Sequence, residues 1–188
     1  MPRRRMILCV LAAATGVAAM PAAAGAQSTD TTSVTIAGGT LDYTTPLTAG
    51  NFPATTLSGL QQVKTADIAP YKVTDARGGS AGWNLTIAAS QFTSGADTLP
   101  TGSLVMAAPP VPTTTAGNLG VAPVPQVVAS PIDGGSTQKI VSAAAAPLSG
   151  AGTWTFTPLA GTLTLTIPPA VAPGTYTSTI TTTLATGP

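Results

Sequence analysis

The chain of 188 residues carries seven Lys or Arg and six acidic residues, all Asp, so that charged residues make up only 7% of it. Such a chain has no basic surface for nucleic acid or for an anionic membrane. It contains no His, which excludes a Ser-His-Asp triad, and its single Cys excludes a framework of disulfides.

The first 26 residues are typical of a secretory signal peptide. Arg3–Arg5 form a basic start, Met6–Met20 is an apolar run that is short for a bilayer span, and Ala24–Ala26 is a small-residue cleavage site. We therefore predict secretion and a single mature domain over residues 27–188. The only Cys leaves with the signal, so we expect no disulfide, thiolate metal site or cysteine nucleophile in the mature protein.

The mature region is predicted to be all-β. Thr, Val and Ile dominate it, Gly or Pro interrupts it about every ten residues, and several segments alternate between apolar and polar positions. The predicted strands are Ser33–Ala37, Leu41–Thr45, Gln61–Thr65, Tyr71–Asp75, Trp83–Ser90, Ser103–Ala107, Lys139–Ala143, Thr153–Thr157, Thr162–Ile167 and Tyr176–Leu184. Together they predict an antiparallel β-sandwich or a barrel-like single domain.

Residues 108–135 differ from the rest because they contain six Pro residues among Thr, Ala and Gly. Proline cannot donate to a β-ladder, so a central strand is not expected here. We predict a loop insertion between the two halves of the sandwich, with an edge strand at Gln126–Ala129. Apart from the signal no long apolar stretch is present, so we expect no stable insertion into a membrane.

Trp83 and Leu85 stand at positions i and i+2 of a predicted strand and therefore share one face. The first interpretation is a pair of core residues, because large apolar side chains on an alternating face are usually buried. The second is an aromatic platform that stacks on the apolar face of a sugar ring and donates its indole N–H.

Asp75 and Arg77 flank the start of the turn that precedes Trp83, and they too have two interpretations. They form either a local ion pair that braces the turn or a site at which the planar guanidinium binds a ligand carboxylate. The six Asp residues are scattered and there is no His, so neither paired-carboxylate hydrolysis nor a metal site is indicated. We predict a non-catalytic protein without a cofactor.

Two patterns in the sequence resemble a known family. The first is Val73–Leu85, with Asp75-x-Arg77-Gly ahead of Trp83-x-Leu85, and the second is Tyr176–Pro188, with its Tyr, Ile-Thr, Leu and closing Pro. Together they resemble the WxL domain, a surface module of Gram-positive bacteria that attaches non-covalently to the cell wall. The chain departs from the family at Thr182, where the family usually has its second Trp.

The resemblance implies a binding site built from the family's hallmark residues. The predicted ligand-binding residues are Asp75, Arg77, Trp83, Leu85, Trp154, Tyr176 and Leu184. Trp154 is included because we expect it, with Phe156, to fill the space that the missing second Trp leaves beside Thr182. Arg77 would then meet a carboxylate of a peptidoglycan stem peptide.

The resemblance and the signal peptide together predict a secreted surface domain that binds peptidoglycan or an associated wall glycan. Companion surface proteins are expected partners because the family usually acts beside them. The alternative is a structural or adhesive exoprotein that binds another surface protein through its strand edges and has little affinity for glycan. Retention on purified sacculi, compared with walls that keep their surface proteins, distinguishes the two.

Overall fold

A computed structural model describes residues 27–126 and 131–188, and this part of the chain is all-β, as predicted. Its strands are β1 Leu41–Thr45, β2 Gln62–Ala66, β3 Tyr71–Asp75, β4 Trp83–Ala89, β5 Thr93–Ser94, β6 Asp97–Thr98, β7 Leu104–Met106, β8 Thr113–Thr114, β9 Val124–Pro125, β10 Gln138–Ala143, β11 Gly152–Phe156, β12 Leu163–Ile167 and β13 Ile180–Thr186. The predicted signal peptide lies outside the described residues. Across the described ranges, no helix is long and apolar enough to cross a membrane.

The strands pair only in antiparallel fashion and form three principal sheets in the described chain. The first sheet has the order β1-β3-β11-β8, the second β13-β4-β10-β9, and the third β2-β12-β7, while β5 and β6 form a small hairpin. Most neighbours in these sheets are not consecutive along the chain, although β9 and β10 are, so the chain crosses repeatedly from one sheet to another. This arrangement agrees with the predicted sandwich class.

Alternation of apolar and polar residues explains why these segments form strands around one core. β4 is the clearest case, because its odd-numbered positions from Trp83 to Ala89 are all buried and the positions between them are half-buried. β3, β11 and β12 add further inward-facing side chains by the same period of two. The largest fully buried residues are Trp83, Trp154, Tyr71, Phe156, Leu85, Ile87, Leu104, Met106, Ile132, Ile140, Leu163 and Val73.

Two of the strand predictions were wrong by more than two residues, and the predicted edge strand at Gln126–Ala129 lies mostly outside the described residues. Residues 33–37 are exposed and form no strand, since apolar alternation alone does not supply a pairing partner. The last strand begins at Ile180 rather than Tyr176, because Thr177 already pairs with Thr93 in an isolated bridge. The insertion contributes β8 and β9, each at the edge of a sheet as Pro-rich chain requires. Gln126 lies just beyond β9, and residues 127–130 lie outside the described chain.

Candidate functional site

The two sequence patterns lie side by side in the fold as neighbouring strands. β4 and β13 pair antiparallel, so that Leu85 is opposite Leu184 and Ile87 is opposite Thr182. The Asn84 side-chain amide donates to the carbonyl of Gly187 at 2.7 Å, and the Gly187 N–H donates to the Gly82 carbonyl at 3.2 Å. The patterns that suggested a family therefore form one structural unit, with Leu184 half-buried against the core.

Arg77 joins this unit together rather than facing solvent with a free guanidinium. Its Nε and Nη2 donate to the two carboxylate oxygens of Asp75 at 2.9 and 2.8 Å. Nη2 also donates to the Gly82 carbonyl and Nη1 to the Thr186 hydroxyl, each at 2.8 Å. The hydrogen bonds from Arg77, more than the opposing effect of burial, hold the pKa of Asp75 below its usual value.

This geometry agrees with the brace interpretation of Asp75 and Arg77. The bidentate pair uses the Nε–Nη2 edge of the planar guanidinium, which would otherwise be free to donate to a ligand carboxylate. The remaining contacts tie the turn between β3 and β4 to Thr186 in the last strand. Arg77 would have to break several charge-assisted hydrogen bonds before it could bind an anionic ligand in the same way.

Trp83 and Trp154 converge on a single backbone carbonyl. Their indole N–H groups donate to the Gly150 oxygen at 3.1 and 3.0 Å, and Trp154 also reaches the Ala151 carbonyl at 3.1 Å. Trp83 is 0% exposed and Trp154 is 1% exposed. Both polar atoms are satisfied internally, and neither ring presents a surface to a ligand. The burial of Trp83 and Leu85 agrees with the first interpretation of this pair, as core residues.

Gly150 is the residue that makes this convergence possible. It adopts a φ of 67°, which costs little only for glycine. A Cβ at this position would clash with Trp83 Nε1 and with the Ala143 side chain. Because Gly150 has no side chain, its backbone can approach both indole rings closely enough for its carbonyl to accept both hydrogen bonds.

The half-buried Thr182 faces Tyr43 of the opposing sheet, and the Thr182 hydroxyl lowers the pKa of that phenol. Burial has the larger effect, so the pKa of Tyr43 is raised on balance. We predicted that Trp154 would fill the space beside Thr182. Trp154 and Tyr43 are both opposite Val73, on either side of β3, so Trp154 lies two strands away from Tyr43. The side chain that the structure places against Thr182 is Tyr43.

A large groove lies away from the two tryptophans, with a volume of about 1210 Å³. Loop residues 47–57 and 171–178 line it, together with residues of β12 and core residues that flank the β5–β6 hairpin. Phe52 in the first loop packs edge-to-face on Phe92, with ring centroids 6.0 Å apart and an interplanar angle of 72°. Tyr176 belongs to the second loop, and its hydroxyl donates to the Ala172 carbonyl at 2.9 Å.

The lining of this groove is uncharged and combines apolar with polar groups. None of the described residues that line it is Asp, Lys or Arg. Its polar groups are backbone amides, the hydroxyls of Thr, Ser and Tyr176, and the side-chain amide of Asn51. Asp97 is near enough to contribute to a raised pKa of Tyr176, for which desolvation is the main cause. Such a lining suits an uncharged ligand with both apolar faces and hydrogen-bonding groups.

Of the predicted site residues, only Tyr176 lines this groove. Sequence reasoning missed Phe52 and Phe92, and the only signal for Phe52 is an aromatic residue in a loop segment, Asn51-Phe52-Pro53.

No cluster of three or more acidic side chains that could hold a metal ion occurs within residues 27–126 and 131–188.

Comparisons with known proteins identify the family of the chain. Searches against curated proteins and against solved structures give no match. A family model described as WxL domain surface cell wall-binding matches residues 21–188, which is most of the chain. The resemblance carried by the two paired patterns is thereby confirmed, and the protein belongs to the WxL family of cell wall-binding surface domains.

Proposed function

We propose that this domain is secreted and is held non-covalently on the Gram-positive cell wall by a stretch of wall glycan that lies in the groove. The observation that carries the proposal is the groove itself, which is large, uncharged and partly aromatic. Membership of a cell wall-binding family supports the location, and the N-terminal signal supports export.

The groove is a better binding surface than the family's hallmark residues. Trp83 and Leu85 are fully buried, and Arg77 is engaged by Asp75, Gly82 and Thr186. A ligand could reach those groups only by opening the core or by breaking the brace. The groove is instead an open surface lined by hydroxyl and amide groups.

An uncharged glycan fits the groove better than a stem peptide does. A pyranose ring has apolar faces that pack on aromatic side chains, and its hydroxyls bond to backbone and side-chain polar groups. Stem peptides carry carboxylates, which would need cationic partners that the described lining does not contain. Hydrolysis of the glycan would need two opposed carboxylates, and none lines the groove in the described chain, so we propose binding without catalysis.

Sedimentation with purified sacculi tests the proposal directly. The mature chain from Gln27 to Pro188 should pellet with sacculi stripped of protein, and Phe52→Ala should weaken this by about tenfold, or ~1.4 kcal/mol. Leu119→Ala is the matched control, because Leu119 is 86% exposed and does not line the groove. Binding should change little between about 0.05 M and about 0.5 M salt, since screening acts on charges. Loss of binding in high salt would contradict the proposal, as would equal binding by Phe52→Ala and the parent.

A second candidate function rests on the position of β13 at the edge of its sheet. A partner protein could add a strand to this edge, as other edge strands do. The same assay separates the two functions. Retention on walls that keep their surface proteins, with none on stripped sacculi, would favour the protein partner and would rule out the glycan groove.

A further inference from the structure

Two tyrosine hydroxyls are buried between the sheets with no hydrogen-bond partner in the described chain. They belong to Tyr43 of β1 and Tyr71 of β3. Buried phenols usually find a partner, because a hydroxyl that leaves water unpaired loses its hydrogen bonds. Two such groups in one small domain require an explanation.

The two phenols are neighbours on the inner face of the first sheet. Tyr43 is opposite Val73, and Tyr71 is two residues from Val73 on the same strand and therefore on the same face. The Tyr71 ring is fixed by stacking on Phe156, with centroids 4.8 Å apart and an interplanar angle of 7°. Burial raises the pKa of both phenols, and at Tyr71 the proximity of Tyr43 adds to the effect.

A third hydroxyl comes from the opposing sheet. β13 packs against β1, and the Thr182 hydroxyl is close enough to the Tyr43 phenol to lower its pKa, while the Tyr43 hydroxyl has no hydrogen-bond partner within the described residues. Three hydroxyl groups thus come from β1, β3 and β13, and each can either donate or accept. A buried water molecule typically needs two to four polar partners.

We propose that Tyr43, Tyr71 and Thr182 form an internal hydration site, in which one ordered water molecule bonds to all three hydroxyls and bridges the two sheets. The water satisfies both phenols at once. It also links the first strand of the domain to the last through a polar contact between the sheets.

A crystal structure of the mature protein, at a resolution that shows ordered solvent, gives the direct test. The expected result is a solvent peak about 2.5–3.0 Å from each of the three oxygens. Direct hydrogen bonds among the hydroxyls without a solvent peak, or an empty space between them, would overturn the proposal.

Thermal unfolding of Tyr43→Phe, Tyr71→Phe and the double variant gives an independent test. The sign of the change in melting temperature distinguishes a hydrated site from a dry one. If the water is present, each single change removes a partner and lowers the melting temperature by a few degrees. The double variant should lose less than the sum, because both residues share the water. If the hydroxyls are dry and unpaired, each change should raise the melting temperature.

Two further variants make the test specific. Thr182→Val removes the third hydroxyl with little change in shape and should lower the melting temperature to a similar extent. Tyr176→Phe serves as the control, because its phenol donates to a protein carbonyl, that of Ala172. A Thr182→Val variant as stable as the parent would refute the three-partner site.

Discussion

Replacing Trp83 by Ala is the substitution whose effect the structure determines best. The side chain is 0% exposed, and its indole N–H donates to the Gly150 carbonyl at 3.1 Å. Truncation of a fully buried Trp costs about 3–5 kcal/mol through lost burial and the cavity left behind. The Gly150 carbonyl still accepts a hydrogen bond from the Trp154 indole after the substitution, so loss of the Trp83 hydrogen bond adds little to that cost.

This loss should lower the melting temperature by roughly 6–20 °C, since 1 kcal/mol corresponds to about 2–4 °C for a domain of this size. Thermal unfolding followed by far-ultraviolet circular dichroism measures it, and sacculus sedimentation below the transition measures binding. We expect the folded fraction of the variant to bind as the parent does, because the groove is elsewhere. A variant that melts with the parent and no longer sediments would show that Trp83 contacts the ligand, and the reasoning from burial would be refuted.

Three further predictions concern the brace, the glycine and the departure from the family pattern. Arg77→Met should destabilise the domain by about 1–3 kcal/mol, measured by urea unfolding, because Asp75 then loses its charged partner. Because the pKa of Asp75 is lowered in the folded state, its contribution to the free energy of unfolding is present at neutral pH and is lost as the pH falls below the ordinary carboxyl value of about 4. An unsubstituted protein whose stability stays constant from about pH 6 to about pH 3 would contradict this. Gly150→Ala should be strongly destabilising, since the new Cβ would clash with Trp83. A variant that is expressed in soluble form and has the same melting temperature as the parent would argue against this. Thr182→Trp should overpack against Tyr43 and cost about 1–3 kcal/mol in thermal melts, whereas a more stable variant that sediments better would show open space at this position.

Local patterns in the sequence predicted most of the strands. β1 and β3 have the predicted bounds, and β4 differs only at its end, because period-two alternation of buried and less buried residues is a local property. β4 and β13 pair, so the two patterns, about a hundred residues apart in sequence, lie on neighbouring strands. Local alternation does not specify partners, which is why residues 33–37 were assigned a strand that does not form.

The geometry of the candidate site is less accessible from the sequence, because it depends on contacts between distant segments. Asp75 and Arg77 are two residues apart and visible as a pair, but the Thr186 hydroxyl that completes the brace is 109 residues from Arg77. The groove is formed by two loops that lack periodicity, so nothing in the sequence brings Phe52 near Tyr176. Burial of Trp83 is one of two interpretations that the sequence leaves open. Alternation shows that residues share a face of a strand, but it does not show whether that face is turned to the core or to solvent.

The convergence of both indoles on the Gly150 carbonyl also determines what intrinsic fluorescence can report. The chain has two tryptophans, and both lie at this one point in the core. Their emission will follow the integrity of the core during unfolding, while ligand in the groove should leave the spectrum unchanged. A shift in emission on adding wall fragments would therefore be a signal of rearrangement inside the sandwich, distinct from occupancy of the groove.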